Sequence, residues 1–544
     1  MKELLKSLNL FEFRAAFQID CENITEQALM TKKTEKRESD LALRKVIAGS
    51  AWADLDLQAY ALGVLQTDLW AEYRCRHEQL EDETYKLGQF LQDCVYYLDL
   101  SLLQIMLTDT AVLVHRIEQP LVIVLAEMEK TGIKLDQDEL QKAKDAYLLE
   151  MEKAQRQLLF AAGREINLNS PEQVSKLLFE DLAISVPTDK LNKSGFVSTK
   201  NEYLQELAPF NPAVRELLNY RKYRKLLDFA VGLEQSVQQD SRRITTEFQQ
   251  MKTATGRLSS QNPNLQNIPV RSNVKISLRS AFVADENDLL LDIDYSQIEL
   301  RIMAALANDE HMLQAFQQGK DVHAEVAAHI FQEDLTAVTP EQRTKAKAIN
   351  FSLIYGATTF GTAKRLGISL AEAKAYLQGY FTKYAAIKEY MKKLVTTAQA
   401  NDYILTAFGR RRYLGKQPAH QVVTGELSLY LTDLSKLREN PPVRQKPSAK
   451  TSAADNRIII NTPIQGTGAD IIKLAMLKSV LKMQKEQLPA KLLLQVHDEL
   501  LFSIAGKTAD KTAEQLLKCM ENITNIGVDL QAALHVGNNW ADVH

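Results

Sequence analysis

The chain has 544 residues, 45% apolar and 25% charged, ordinary fractions for a folded protein and too apolar for intrinsic disorder. At roughly 100–200 residues per domain, the length predicts about three or four folding units. Its four cysteines, Cys21, Cys75, Cys94 and Cys519, form no CxxC pair, which removes a zinc ribbon or redox motif and fits reduced thiols in a cytoplasmic protein.

No run reaches the ~18 apolar residues of a membrane span, and residues 1–13 mix charges among leucines, unlike a signal peptide. The formal net charge of −3 is unevenly spread. Residues 1–115 hold 12 Lys/Arg against 19 Asp/Glu, and residues 220–279 hold 11 against 4. A basic zone inside an acidic chain suits an enzyme that grips phosphates at one place, or a solvated basic face.

In chain order, residues 1–115 read as mostly helical. Residues 117–131 are apolar at helical spacing, and Gly132 follows as a stop signal. Residues 136–162 predict a long amphipathic helix. Ser170 as N-cap and Pro171 in the first turn open another. Tyr220-Arg221-Lys222-Tyr223-Arg224-Lys225 interleaves cations and aromatics, which fits a helix along a backbone groove or an ordinary surface helix. Residues 255–269 carry Gly, Pro, Asn and Ser in close succession, the chemistry of a functional loop. Leu289 to Asp294 reads as a buried strand ending in a carboxylate. Residues 311–404 are strongly helical, and 415–456 read as a polar, partly mobile insertion. Residues 491–504 hold two apolar runs around His497-Asp498-Glu499, a hairpin pattern with acids at the turn.

Three groups carry candidate chemistry. Asp294 and Asp498 are carboxylates at strand ends, expensive to bury unless paired or bound to metal. Hard cations such as magnesium take one or two carboxylates plus substrate phosphates, and two such ions suit an in-line phosphoryl displacement. The plain alternative is a capping acid and a turn acid. Arg343, Lys347, Phe351 and Tyr355 recur at intervals of four, two cations and then two aromatics along one helical face. That stripe suits a triphosphate with base and sugar on the rings, or a half-buried face with snorkelling cations. No P-loop is present. Arg257, Arg457, Asn461 and Gln465 lie in or beside loop-like turns; such donors can probe the minor groove without reading sequence, or make ordinary loop hydrogen bonds.

The joint order is more specific than any one group. Thr255-Gly256-Arg257-Leu258-Ser259-Ser260, then residues 294–301, then 343–356, then Asn461-Thr462-Pro463-Ile464-Gln465-Gly466, then Gln495-Val496-His497-Asp498-Glu499 closely resembles the bacterial family A DNA polymerases over roughly residues 116–544. The resemblance implies a multidomain α+β right-hand fold with an antiparallel palm sheet. Residues 116–254 would be palm entry and thumb, 255–310 palm, 311–404 fingers, and 405–544 palm with an insertion at about 415–456. It implies a template-directed DNA polymerase, a monomer acting on primer-template DNA and deoxynucleoside triphosphates. Asp294 and Asp498 would hold two magnesium ions. Arg343 and Lys347 would bind the triphosphate, with Lys347 protonating the leaving pyrophosphate. Glu299 would exclude a ribose 2′-hydroxyl, Phe351 pack on the sugar, and Tyr355 stack near the templating position. Gln297 and His323 would contact the same nucleotide. Arg257, Arg457, Asn461, Gln465 and His497 would follow the primer-template.

Departures from the family pattern are Ser352 in place of a glycine, Gly468 in place of a small non-glycine residue, and the insertion. Residues 1–115 stand where relatives carry a 3′–5′ exonuclease domain. Asp20-Cys21-Glu22 is their one strand-like DxE candidate, and residues 53–62 resemble the middle of the degenerate domain of some relatives. The segment therefore reads as a shortened, inactive remnant, giving a polymerase without 3′–5′ or 5′–3′ exonuclease activity. An RNA-templated enzyme and a catalytically silent primer-template binder are the alternatives.

Overall fold

The computed structural model describes Leu113 and residues 117–544, except 186–195, 239, 251, 270–276, 357, 402, 415–452 and 525. The expected exonuclease remnant, with Asp20 and Glu22, and most of the expected insertion lie outside the described residues.

Helix α1 (Gln119–Thr131) ends at Gly132, whose φ is +58°, and strand β1 (Ile133–Leu135) follows. The long amphipathic pattern is helix α2 (Gln137–Ala162). Asp136 caps it, accepting from the Asp138 and Glu139 amides, which satisfies two donors left open by the first turn. Ser170 and Pro171 open α3 (Pro171–Lys176) as expected, Ser170 accepting from the Gln173 amide. Next come α4 (Asn201–Leu207) and α5 (Pro212–Ser236). Short strands β2 (Arg243–Ile244), β3 (Glu247–Gln249), β4 (Ser259–Gln261) and β5 (Phe282–Val283) lead to β6 (Asp288–Tyr295). The helical stretch comprises α6 (Ile298–Ala307), α7 (Glu310–Gln317), α8 (Val322–Phe331), α9 (Pro340–Ile354), α10 (Thr359–Leu366), α11 (Leu370–Lys383) and α12 (Ala385–Asn401). Hairpin β7 (Tyr403–Leu405) and β8 (Arg411–Tyr413) precedes the long helix α13 (Ala453–Lys485). The chain closes with β9 (Ala490–Val496), β10 (Glu499–Ala505), α14 (Ala509–Glu521) and β11 (Ala532–Gly537).

Two compact units result. One comprises Gly132–Thr245, Asn267–Leu290 and Val536–His544. In it, α2 and α5 form an antiparallel pair, since Lys144 meets Glu234 at 2.7 Å while Tyr147 stacks on Tyr223 with centroids 6.5 Å apart. Tyr220 and Tyr223 are therefore spent on the core of this pair, and Arg221 bonds back to the Thr199 carbonyl. A three-stranded sheet, β2–β1–β5, lies in the same unit.

The other unit holds residues 117–131 with the described residues of Thr246–Gln266 and Leu291–His535. Its centre is the four-stranded sheet β11–β6–β10–β9. Leu290, Leu291 and Ile293 of β6 are buried, as expected of a central strand, and Asp292 is buried with them. Strands β9 and β10 form the expected antiparallel hairpin, Val496 opposite Glu499.

Candidate active site

The two expected acids come from adjacent strands. Asp294 sits next to the end of β6, and the carbonyl of Asp498 accepts the neighbouring Tyr295 amide at 3.2 Å. Both carboxylates are half-buried. The hairpin turn has only two residues, His497 and Asp498, and His497 takes φ +53°, the left-handed geometry of such turns. This leaves His497 exposed. Gln495 braces the turn by donating to the His497 carbonyl at 2.6 Å, and Gln266 donates to Gln495 in turn.

After β6 the chain turns through Gln297, half-buried at φ +55°, into α6, with Glu299 in its first turn. The buried guanidinium of Arg301 holds this turn, donating to the Ser296 and Asp529 carbonyls at 3.1 and 2.7 Å. Glu299 accepts from Arg257 Nη2 at 2.7 Å and from the Tyr355 hydroxyl. Burial raises its carboxyl above the ordinary range; Arg257 opposes this and the charge of Asp498 adds to it. Asp498, Glu299, Arg257 and Tyr355 thus share one electrostatic neighbourhood. Hard oxygen donors in an anionic pocket fit divalent cations.

Helix α9 carries the expected stripe. Thr339 and Gln342 form a reciprocal capping box, and Pro340 fills the first position. Ala346, Ile349, Asn350 and Leu353 form the buried face. Arg343 and Lys347 are exposed, Phe351 is half-buried, and Tyr355 caps the C-terminus, 39% exposed. The stripe is therefore open to a ligand and is not core. Lys347 Nζ lies 6.0 Å from the Phe351 ring centre. Arg343 Nε donates to Asp321, the N-cap of α8, at 2.5 Å. His323 is buried beside Phe351, its Nδ1 2.9 Å from the Asn350 amide nitrogen. Burial brings its pKa down to about 4, with Lys347 and Arg343 adding to the fall against Asp321, so the ring is neutral at pH 7.

One expectation is corrected. Arg457, Asn461 and Gln465 do not lie in loop-like turns; they sit on α13, four residues apart along one face. Asn461, Pro463 and Gly466 are loop signals, yet Pro463 lies inside the helix. It forfeits one backbone bond, and burial of Ile459, Thr462 and Ile464 around it holds the helix together. Helix α13 begins at Ala453, so residues 453–456 of the expected insertion are helical. Arg257 alone of the four is in a loop. A Cβ at Gly468 would meet Ile302 Cδ1 at 3.6 Å, an ordinary contact, so the small side chain of the family pattern would fit there. Ser352 is buried, its hydroxyl 3.4 Å from Arg365 of α10.

Sequence reasoning missed Asp321, Asn350 and the clamping role of Arg301. Asp321 had a local signal, an acid just before an apolar helical run. The other contacts span the fold and leave none.

These elements define an α+β protein with two acidic strand ends beside a helical stripe of cations and aromatics, and comparison with known proteins gives the family. The sequence profile of DNA polymerase family A matches residues 137–542. The chain is 35% identical to DNA polymerase I of Caldicellulosiruptor bescii over 542 residues, 99% of this chain and 58% of that protein. It is 37% identical to DNA polymerase I of Bacillus caldotenax over 433 residues, 79% of this chain and 46% of that protein. The chain thus spans about half the length of the curated relatives it matches. Among solved structures, the POL domain of Pol1 from M. smegmatis, in complex with DNA primer-template and dNTP, aligns with a TM-score of 0.72 and 33% identity, covering 89% of this chain and 78% of that one. This chain belongs to DNA polymerase family A and has its right-hand polymerase fold.

Proposed function

We propose that this chain is a template-directed DNA polymerase that adds deoxynucleotides to a primer 3′ end. The observation that carries the reading is the gathering, within one unit, of the Asp294 and Asp498 strand ends, Glu299 with Tyr355 and Arg257, and the open stripe of α9. Residues 116–254 would serve as palm entry and thumb, 255–310 and 405–544 as palm, 311–404 as fingers, and 1–115 as a degenerate exonuclease-like domain without editing activity. The enzyme works as a cytoplasmic monomer on primer-template DNA and deoxynucleoside triphosphates.

Asp294 and Asp498 would hold two magnesium ions. When bound, the ions supply Lewis acidity to an in-line phosphoryl transfer. Arg343 and Lys347 offer charge to the triphosphate, and Lys347 holds a proton for the leaving pyrophosphate. Neutral His323, with Nδ1 turned to Asn350, has its Nε2 proton to donate, and Gln297 adds a second polar contact. Phe351 packs on the sugar, Glu299 crowds its 2′ position, and Tyr355 lies near the templating base. Arg257, Arg457, Asn461, Gln465 and His497 contact the primer-template. Among the described residues no helix is long and apolar enough to cross a membrane.

Primer extension with magnesium on DNA and RNA templates tests the proposal. Extension on DNA should be lost in Asp294→Ala and Asp498→Ala while primer-template binding persists. No wild-type extension on DNA overturns the reading. Faster extension on RNA replaces it with an RNA-templated enzyme.

A further inference from the structure

We propose that Arg410 is a positioning residue for the Arg257–Glu299 pair, and that the buried ionic cluster around Arg410 sets the seat of the loop carrying Arg257. The inference rests on the reading of Glu299 as the residue that crowds the nucleotide sugar.

Arg410 follows β7 and is 5% exposed. Its Nε and Nη2 donate to Asp470 Oδ1 at 2.8 and 2.6 Å, and Nη2 also donates to Glu118 Oε1. Lys473 Nζ reaches the same Glu118 oxygen at 2.7 Å, and Thr406 Oγ1 donates to the other Asp470 oxygen at 2.8 Å. The guanidinium is therefore pinned between two buried carboxylates. Burial alone would push the Glu118 carboxyl up, but Lys473 and Arg410 bring it down to about 2, while burial lowers Lys473 to about 8.

The loop lies directly on this plate. Gly256 has φ +80°, and a Cβ there would stand 2.6 Å from Arg410 Nε and 2.9 Å from Cζ. A Cβ on Gly466 of α13 would stand 2.5 Å from Thr406 Cγ2 and 3.2 Å from the Thr255 carbonyl oxygen. Residues 255 and 256 thus pack closely against both the Arg410 guanidinium and the Gly466 turn of α13. Gln250, at the loop's other end, donates to the Glu118 carbonyl at 2.7 Å. The loop is also closed on itself, Thr253 Oγ1 donating to the Arg257 carbonyl at 2.7 Å. It can shift only as a piece, and Arg257, one residue beyond Gly256, shifts with it. Four buried charges are a poor way to gain stability, since apolar residues of equal volume do as well. They do fix one orientation of a flat group, and that is what a glycine pressed against it needs.

Arg410→Gln removes the plate; Gly256→Ala lifts the loop off it with the cluster charges intact, so the test survives if the first variant folds poorly. Two readouts are needed: hydrogen exchange of residues 252–258, and the deoxy- to ribonucleotide ratio of kcat/KM in single-nucleotide primer extension. Exchange should rise in both variants and the ratio should fall about tenfold, the scale expected of a sub-ångström to ångström misplacement. In a Glu299→Ala background neither substitution should lower the ratio further. Unchanged exchange in both variants overturns the positioning role. Raised exchange with an unchanged ratio, while Glu299→Ala alone lowers it, also overturns it, since the loop would then not act through Glu299. An unchanged ratio in Glu299→Ala itself overturns the sugar-crowding reading, and this inference with it.

Discussion

Glu129, on the last turns of α1, makes a test of the electrostatics that runs against intuition. Its carboxyl accepts the Phe248 amide at 2.6 Å, fixing strand β3 and hence the root of the Arg257 loop. Burial, reinforced by the neighbouring charge of Glu247, pushes its pKa from 4.5 up to about 9; the bond from Phe248 pulls the other way and is outweighed. The folded protein therefore holds a proton at pH 7 that the unfolded chain has lost. A folded pKa above the unfolded one gives a contribution that is complete below pH 4.5 and is lost as pH rises toward 9. At 1.36 kcal/mol per unit over the 2.5 units between 4.5 and 7, the loss at pH 7 is about 3 kcal/mol. Glu129→Gln keeps an acceptor for Phe248 and does not titrate. It should be more stable than wild type at pH 7 by up to about 3 kcal/mol, or about 6 °C for a cooperative unit of roughly 250 residues. The gap should close near pH 4.5 and widen toward pH 9, with primer extension unchanged. Thermal melts at pH 4.5, 7 and 8.5 decide it. A variant no more stable at pH 7, or a gap independent of pH, would show that Glu129 is ionised in the fold.

Four further outcomes are expected. Glu299→Ala should raise ribonucleotide incorporation, read as the ratio of ribo- to deoxynucleotide efficiency; an unchanged ratio removes Glu299 from sugar selection. Phe351→Tyr should supply a hydroxyl where a dideoxynucleotide lacks its own and so relax discrimination against chain terminators; equal terminator use by the two proteins counts against the ring's assigned role. His323, with its folded pKa lowered to about 4 from 6.5, should contribute stability that is lost as pH falls from 6.5 through 4, by about 3 kcal/mol at most; an acid limb identical in His323→Gln refutes this. A mismatched primer end should stay intact when nucleotides are withheld with magnesium present. Shortening that disappears when Asp20 and Glu22 are both changed to Ala would make residues 1–115 a working nuclease.

What the sequence disclosed depended on how local its cause was. The β9–β10 hairpin, the buried run of β6 and the Asp136 and Ser170 caps each follow from a few adjacent residues, and each was legible. The start of α13 was not, because Asn461, Pro463 and Gly466 signal a loop while the packing that overrides them comes from residues far away in the chain. The cation–aromatic alternation at 220–225 was ambiguous because periodicity cannot say which face is inside; the tyrosines are. In the site, the α9 stripe was legible as a spacing, but its partners were not. Arg343 pairs with an acid 22 positions away and Arg257 with one 42 away.

Those two ion pairs differ in a way that bears on mechanism. Arg343 and Asp321 are 45% and 39% exposed at the side chain, so their pair lies in high dielectric and is worth little. Arg257 and Glu299 are 34% and 10% exposed, and Glu299 would otherwise be a buried acid close to Asp498. A polyanion arriving at the open face of α9 competes with Asp321 for Arg343 at small cost, and a triphosphate outbids one carboxylate in charge. The same polyanion gains nothing by drawing Arg257 away, because that strands the charge of Glu299 in a poorly solvated place. If Arg343 binds the triphosphate as proposed, the exposed pair is an exchangeable hold that keeps it oriented until a phosphate takes it. The buried pair is a fixture that stays through the exchange, which is what a side chain needs if it is to measure a sugar.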